Sequence, residues 1–332
     1  MLRNALKYVF VLMLMVTAFS AAAFAESTQA TYDPCTGASG YKAISKVKPP
    51  SAPAPTALKV KPWGLTSRFD ALSQYNPVNW GADCCLPMPA KGQFVIAPRV
   101  FFARLSGEAR RGTDITGVQT AVVNFDDHLG FRKSGNAIWS FDALYQIRPR
   151  WGIRYSFSPM SMEATNSPTT AFSFAGQTFA AGTPVHSKWE RFEHRAGLVF
   201  TLSRTNYSST NFFAEWLNVQ DKLTIGGAAG TAVAVSMSDT KNMAVTGLEF
   251  DKCLKNYRGN TLALSGRGSI AFLNDSIGYD AEAALSYLIP IKTGRFGFVK
   301  GGYRYAYLKK DRPARMFNTT LDGPFVQVGF LF

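Results

Sequence analysis

The sequence predicts an all-β chain that closes into an antiparallel transmembrane barrel of about ten strands, within a range of about 8 to 12, behind an irregular N-terminal arm. Three observations carry this. The chain ends on "GPFVQVGFLF", where Val326, Val328, Phe330 and Phe332 share one face and Gln327 and Gly329 the other, so one side stays apolar to the last residue. A two-residue period runs from Gln93 through most of the remaining chain. The connections between periodic segments alternate between short and long, as in barrels with turns on one side of a membrane and loops on the other.

In chain order, residues 1–25 read as a cleaved secretory signal peptide. Arg3 and Lys7 precede an apolar run from Tyr8 to Phe19, and the small-residue ending "AAAFA" follows. That run is shorter than the roughly 20 residues of a spanning helix. Residues 26–91 read as a periplasmic arm. Its stretch "KVKPPSAPAPTALKVKPW" is rich in Pro, Ala and Lys, a composition that favours extended, solvated chain. Trp63, Phe69, Tyr75 and Trp80 then add apolar surface, and a plug in the barrel mouth and a short helical peg are both open readings. Residues 92–332 are assigned to the barrel.

Within the barrel, periodic segments run over about 93–105, 136–147, 150–162, 185–202, 211–224, 243–254, 260–272, 277–290, 295–309 and 323–332. In "GNAIWSFDALYQI", Ala137, Trp139, Phe141, Ala143, Tyr145 and Ile147 share a face opposite Asn136, Ser140, Asp142 and Gln146. In "IGYDAEAALSYLI", Tyr279, Ala281, Ala283, Leu285, Tyr287 and Ile289 oppose Asp280, Glu282 and Ser286. Aromatic residues recur near the strand ends, as in a girdle at a membrane boundary. Connections at "RPR", "SRTNYSS", "LKNYRG" and "PIKTG" are short, and 106–135, 163–184, 225–242 and 310–322 are expected as long loops. A secreted soluble sandwich would also alternate, but its Tyr- and Trp-rich faces would have to point inward.

The leader, the alternating strands with aromatic ends, the turn and loop rhythm and the terminal Phe together resemble bacterial outer-membrane β-barrel proteins over residues 93–332. The resemblance implies export to the outer membrane of a Gram-negative-type envelope and contact with its lipid and lipopolysaccharide. It also implies insertion by the barrel assembly machinery, which reads a terminal strand such as that of Val326, Val328, Phe330 and Phe332. The segment "GTDITGVQTAVVNFDDHLGF" resembles a loop pattern of small porin-like barrels and identifies no activity.

If the apolar faces meet lipid, the opposite faces line the interior. Parity places Arg99, Arg154, Arg191, Arg195, Arg267, Lys300 and Arg304 there, with Asp142, Glu193, Glu215, Glu249, Asp251, Asp280 and Glu282. Seven cations against seven anions predict a salt-bridged lumen, because charges in a narrow barrel are costly unless paired. About ten strands lie nearer the filled eight-stranded barrel than the 16-stranded porin. A wide channel is therefore not expected.

The formal net charge of +14 would suggest nucleic acid in a cytosolic protein. In an exported chain the excess instead points to anionic envelope components such as peptidoglycan or head groups. No cofactor or metal site is expected. In "FDDHLGF", Asp126, Asp127 and His128 lack a second group for acid–base chemistry and read as a polar turn. His186 and His194 are too far apart along a strand to share a metal, and His186 and Ser187 point to opposite faces. Cys35, Cys84, Cys85 and Cys253 are candidates for disulfides in an oxidising compartment, Cys84 or Cys85 pairing with Cys253 to pin the arm to the barrel. The function expected is a structural, adhesive or loop-binding barrel, with a narrow solute pore as the alternative and an outer-membrane hydrolase as the third reading.

Overall fold

The computed structural model describes residues 86, 89–112, 122–133, 136–227, 234–257, 260–273, 275–292, 295–312 and 315–332. The expected signal peptide and nearly all of the expected arm lie outside the described residues. In chain order the strands are β1 (Phe94–Arg111), β2 (Val123–Asn124), β3 (Asn136–Arg148), β4 (Trp151–Asn166), β5 (Phe172–Phe174), β6 (Gln177–Phe179), β7 (Val185–Arg204), β8 (Ser208–Gly227), β9 (Val235–Tyr257), β10 (Asn260–Leu273), β11 (Ser276–Lys292), β12 (Arg295–Arg312) and β13 (Arg315–Leu331).

Ten of these are long and pair antiparallel in the order β1, β3, β4, β7, β8, β9, β10, β11, β12, β13, and β13 returns to β1. The sheet is closed and leaves no edge to aggregate. At the seam the Phe94 amide donates to the Phe332 carbonyl at 2.8 Å and the Phe332 amide to that of Phe94 at 3.0 Å. The terminal Phe thus completes the last rung.

Alternation along each strand sorts the side chains. Trp139, Trp216 and Phe330 point outward with 64, 50 and 48 % of their surface exposed, amid a belt that includes Tyr155, Leu198, Leu285, Tyr287, Val299, Val326 and Val328. At the loop end the belt gives way to polar groups such as Arg104, which donates to Asp322 at 2.7 Å and to the Tyr303 hydroxyl at 3.0 Å.

Two of the expected long loops are largely strand. β9 begins at Val235 and β8 runs to Gly227, so much of 225–242 is sheet. The segment 310–322 is the end of β12 and the start of β13. β4 also runs to Asn166, into the first residues of the segment 163–184, while β7 starts at Val185 as expected. The physical reason is local. Above the belt the outward positions of β9 are Ser236, Ser238, Thr240 and Asn242, so the apolar alternation stops while the pairing continues.

The segment 163–184 carries structure of its own. β5 and β6 form a hairpin whose Phe172, Phe174 and Phe179 are buried, together with Phe125, Leu129 and Phe131 from the β1–β3 connection. Trp189, Leu223, Met237, Phe317 and Leu321 on the long strands complete this core. The loop end of the lumen is packed like a soluble domain. Burying a side chain of this kind contributes roughly 1.5–3 kcal/mol.

Candidate functional site

The candidate site is the lumen below that core. All fourteen charged residues expected inside lie on the inward face, and twelve of them bond to one another. Arg99 on β1 reaches Glu282 on β11 at 2.9 Å and Asp142 on β3 at 3.4 Å, and Lys300 on β12 holds the same Glu282 at 2.8 Å. Arg154 on β4 bridges Glu215 at 3.3 Å and Glu249 at 2.6 Å, while Arg267 on β10 shares Glu215 at 2.9 Å. Arg195 joins Glu193 at 2.6 Å and Asp280 at 2.9 Å, and Arg304 adds a 2.7 Å bond to Asp280. Several cations also lie over rings, with Arg99 4.6 Å from the Phe325 centroid and Arg267 4.4 Å from that of Phe213.

The remaining two are placed differently. Asp251 accepts from the Ser265 hydroxyl at 2.6 Å and has no ion pair within 4.0 Å among the described residues. Arg191 pairs with Asp221 at 2.7 Å in a second cluster nearer the loop end. Lys241 binds Asp221 at 2.6 Å and Asp239 at 3.3 Å, and Lys310 reaches Asp239 at 2.9 Å. Asp221, Asp239, Lys241 and Lys310 were not singled out in the sequence. The last three fall where loops were expected, and their signal was inward parity continued past the belt.

Arg204 is a further cation that parity hides. The β7–β8 register shifts between Thr201 and Ser203, and this bulge turns Arg204 into the lumen opposite Ser209.

Charges inside and aromatic residues outside invert the order of a soluble barrel, where water meets the outer face. Only a hydrocarbon surround stabilises that arrangement. This is a transmembrane β-barrel of the outer-membrane type. In such barrels short turns face the periplasm, so the packed core closes the extracellular end of the barrel.

At the periplasmic end the barrel opens into a vestibule of about 270 Å³ above which the charge network forms a floor. Leu86 lies on its wall, its amide donating to the Asn206 carbonyl at 2.8 Å.

The other expected residues have structural partners. Asn124 Oδ1 accepts from the Asp126 and Asp127 amides at 2.8 and 3.0 Å, and His128 Nδ1 accepts from the Asn124 amide at 3.0 Å. The His128 ring stacks on Phe172 at 4.8 Å, and burial lowers its pKa and raises that of Asp126. This is a capped turn. His186 meets Thr165 and His194 meets Tyr155, both on the outer face, while Ser187 is buried on the inner one. Val326, Val328, Phe330 and Phe332 are 46, 40, 48 and 48 % exposed on the outward face of the barrel seam. Cys253 is buried on β9, and Cys35, Cys84 and Cys85 lie outside the described residues.

A scan against protein-family models and a comparison with curated proteins find no match for the barrel. Among solved structures it is similar to the outer membrane protease OmpT of Escherichia coli, with a TM-score of 0.41 and 7 % identity over 77 % of this chain and 99 % of that one. It is also similar to Ail, the attachment invasion locus protein of Yersinia pestis, at 0.32 and 12 % over 73 and 99 %. The toluene transporter TodX of Pseudomonas putida matches at 0.28 and 10 % over 74 and 90 %. Scores this low carry no argument about activity, and the assignment rests on the closed sheet and its two faces.

Proposed function

We propose that the protein is a non-conducting outer-membrane barrel with a structural or adhesive role, acting through the strand ends that stand above the lipid belt. The observation that supports this reading is the packing of the extracellular end, where Trp189, Phe125, Phe131, Phe174 and Phe317 are all under 2 % exposed. A solute path would have to cross that core and the ion-pair network beneath it.

The outer surface above the belt is polar and cross-linked. Lys188 bridges Glu163 at 3.4 Å and Glu190 at 3.3 Å, and Lys222 lies 4.0 Å from Glu190. It offers charged and hydrogen-bonding groups to lipopolysaccharide or to a partner outside the cell. We assign the leader to export, the terminal strand to recognition by the assembly machinery and the basic arm to contact with peptidoglycan or inner-leaflet head groups.

Planar-bilayer recording of the refolded chain, with and without residues 26–85, tests the reading. Silence from both proteins is the expected result. The periplasmic vestibule favours a narrow solute path as the second reading, and steady conductance in either protein would select it.

A further inference from the structure

The periplasmic vestibule holds two charges that the network leaves over. Arg204 has no ion-pair partner among the described residues, whereas Lys300, also on the wall, is taken by Glu282 at 2.8 Å. Asp251 accepts only the Ser265 hydroxyl, at 2.6 Å. Both line the cavity, and they fall in one cross-strand row, Arg204 paired with Ser209 on β8 and Ser209 with Asp251 on β9. Two strand spacings put their Cα atoms about 10 Å apart.

The far wall is different. β12 lies five strands round the barrel from β7, diametrically opposite, and contributes Phe296 and Phe298 to the lining, with Leu288 beside them on β11. The Phe298 ring lies over Gly329, where an added Cβ would come within 2.2 Å of it, so the glycine lets the ring lie flat against the wall. One side of the cavity thus offers a cation and an anion side by side, and the other an aromatic surface.

We propose that this vestibule binds a small zwitterion carrying an apolar group, of the chemical class of a short peptide, entering from the periplasm. The ligand's carboxylate meets Arg204, its ammonium meets Asp251, and its side chain lies on Phe296 and Phe298. Opposite charges separated by about one peptide unit, roughly 3.8 Å between Cα atoms, fit between the two side chains. The cavity of about 270 Å³ is of dipeptide size, near the lower limit of small-molecule sites. The site is independent of the role assigned to the extracellular surface.

Calorimetric titration of the full-length protein in detergent with the dipeptide Gly-Phe tests this, with N-acetyl-Gly-Phe-amide as the uncharged control. Gly-Phe is expected to saturate, and the blocked peptide, which loses both terminal charges, to bind on the order of a hundredfold more weakly, since each lost charge-assisted hydrogen bond is worth about tenfold. Arg204→Gln and Asp251→Asn should each weaken Gly-Phe by on the order of tenfold, and the double variant should bind both peptides alike. Neither substitution breaks an ion pair, and a heat-dependent gel shift verifies the fold of each variant. No binding of Gly-Phe, equal binding of the blocked peptide, or unchanged affinity in both variants overturns the proposal.

Discussion

Arg99 and Glu282 are 183 positions apart in the chain, and their side chains meet inside the barrel at 2.9 Å with 8 and 4 % of their surfaces exposed. Glu282 also holds Lys300 at 2.8 Å. Removing it leaves Lys300 without an ion pair among the described residues and Arg99 with Asp142 alone at 3.4 Å, so Glu282→Ala is expected to cost roughly 3–5 kcal/mol. Urea unfolding in lipid vesicles measures this. A change below about 1 kcal/mol would mean that water reaches the pair freely.

Asp221 gives a contrast within one protein. It holds Arg191 and Lys241, and the three side chains are 0, 2 and 0 % exposed. Glu190 also faces two cations, Lys188 and Lys222, but on the outer surface with 31 % of its side chain exposed. Asp221→Ala should destabilise by roughly 3–5 kcal/mol and Glu190→Ala by about 1 kcal/mol or less. Similar losses at both positions would contradict the burial of the upper cluster.

The difference between these two residues is also the difference between what the sequence reveals and what it hides. The pleat repeats every two residues, so where one face meets lipid the other is legible. Arg154 and Glu282 follow directly from Tyr155 and Leu285. Above the belt both faces carry polar residues, and Asp239 and Lys241 lost the contrast that would have marked their strand. Arg204 was hidden by a bulge, which changes parity without changing composition. The aromatic cap was hidden because Phe125, Phe172 and Phe179 lie in segments too short to show a period, and tertiary packing alone gathers them.

His128 makes the cap sensitive to acid. Its Nδ1 accepts from the Asn124 amide, so the ring is neutral in the folded cap, and burial lowers its pKa below the usual 6.5. A histidine whose folded pKa is lowered contributes stability that is present above about pH 6.5 and lost as pH falls through and below that value. Asp126, with its pKa raised by burial, acts in the opposite sense at more acid pH. The protection of amides across Val123–Phe131, taken relative to their intrinsic exchange rates, should therefore fall between about pH 7 and 5. His128→Phe keeps the stack on Phe172 and should flatten that pH response. An unchanged response in the variant would assign the titration elsewhere.

The arm is expected to be tied to the barrel by a disulfide from Cys84 or Cys85 to Cys253. Leu86, next in sequence to Cys85, donates to the Asn206 carbonyl at 2.8 Å, and the Cys253 amide donates to the carbonyl of Tyr207, the residue after Asn206, at 2.7 Å. Two successive carbonyls of one turn thus bind the residue after Cys85 and Cys253 itself. Leu86 and Cys253 are thus held to the same turn, and a disulfide requires Cα atoms about 4.4–6.8 Å apart. Closing so long a loop should stabilise by roughly 2–4 kcal/mol. Non-reducing peptide mapping should find Cys253 linked to a peptide containing Cys84 and Cys85, and reduction should free the arm to proteolysis while the barrel band persists. Alkylation of Cys253 in unreduced, unfolded protein would remove the link.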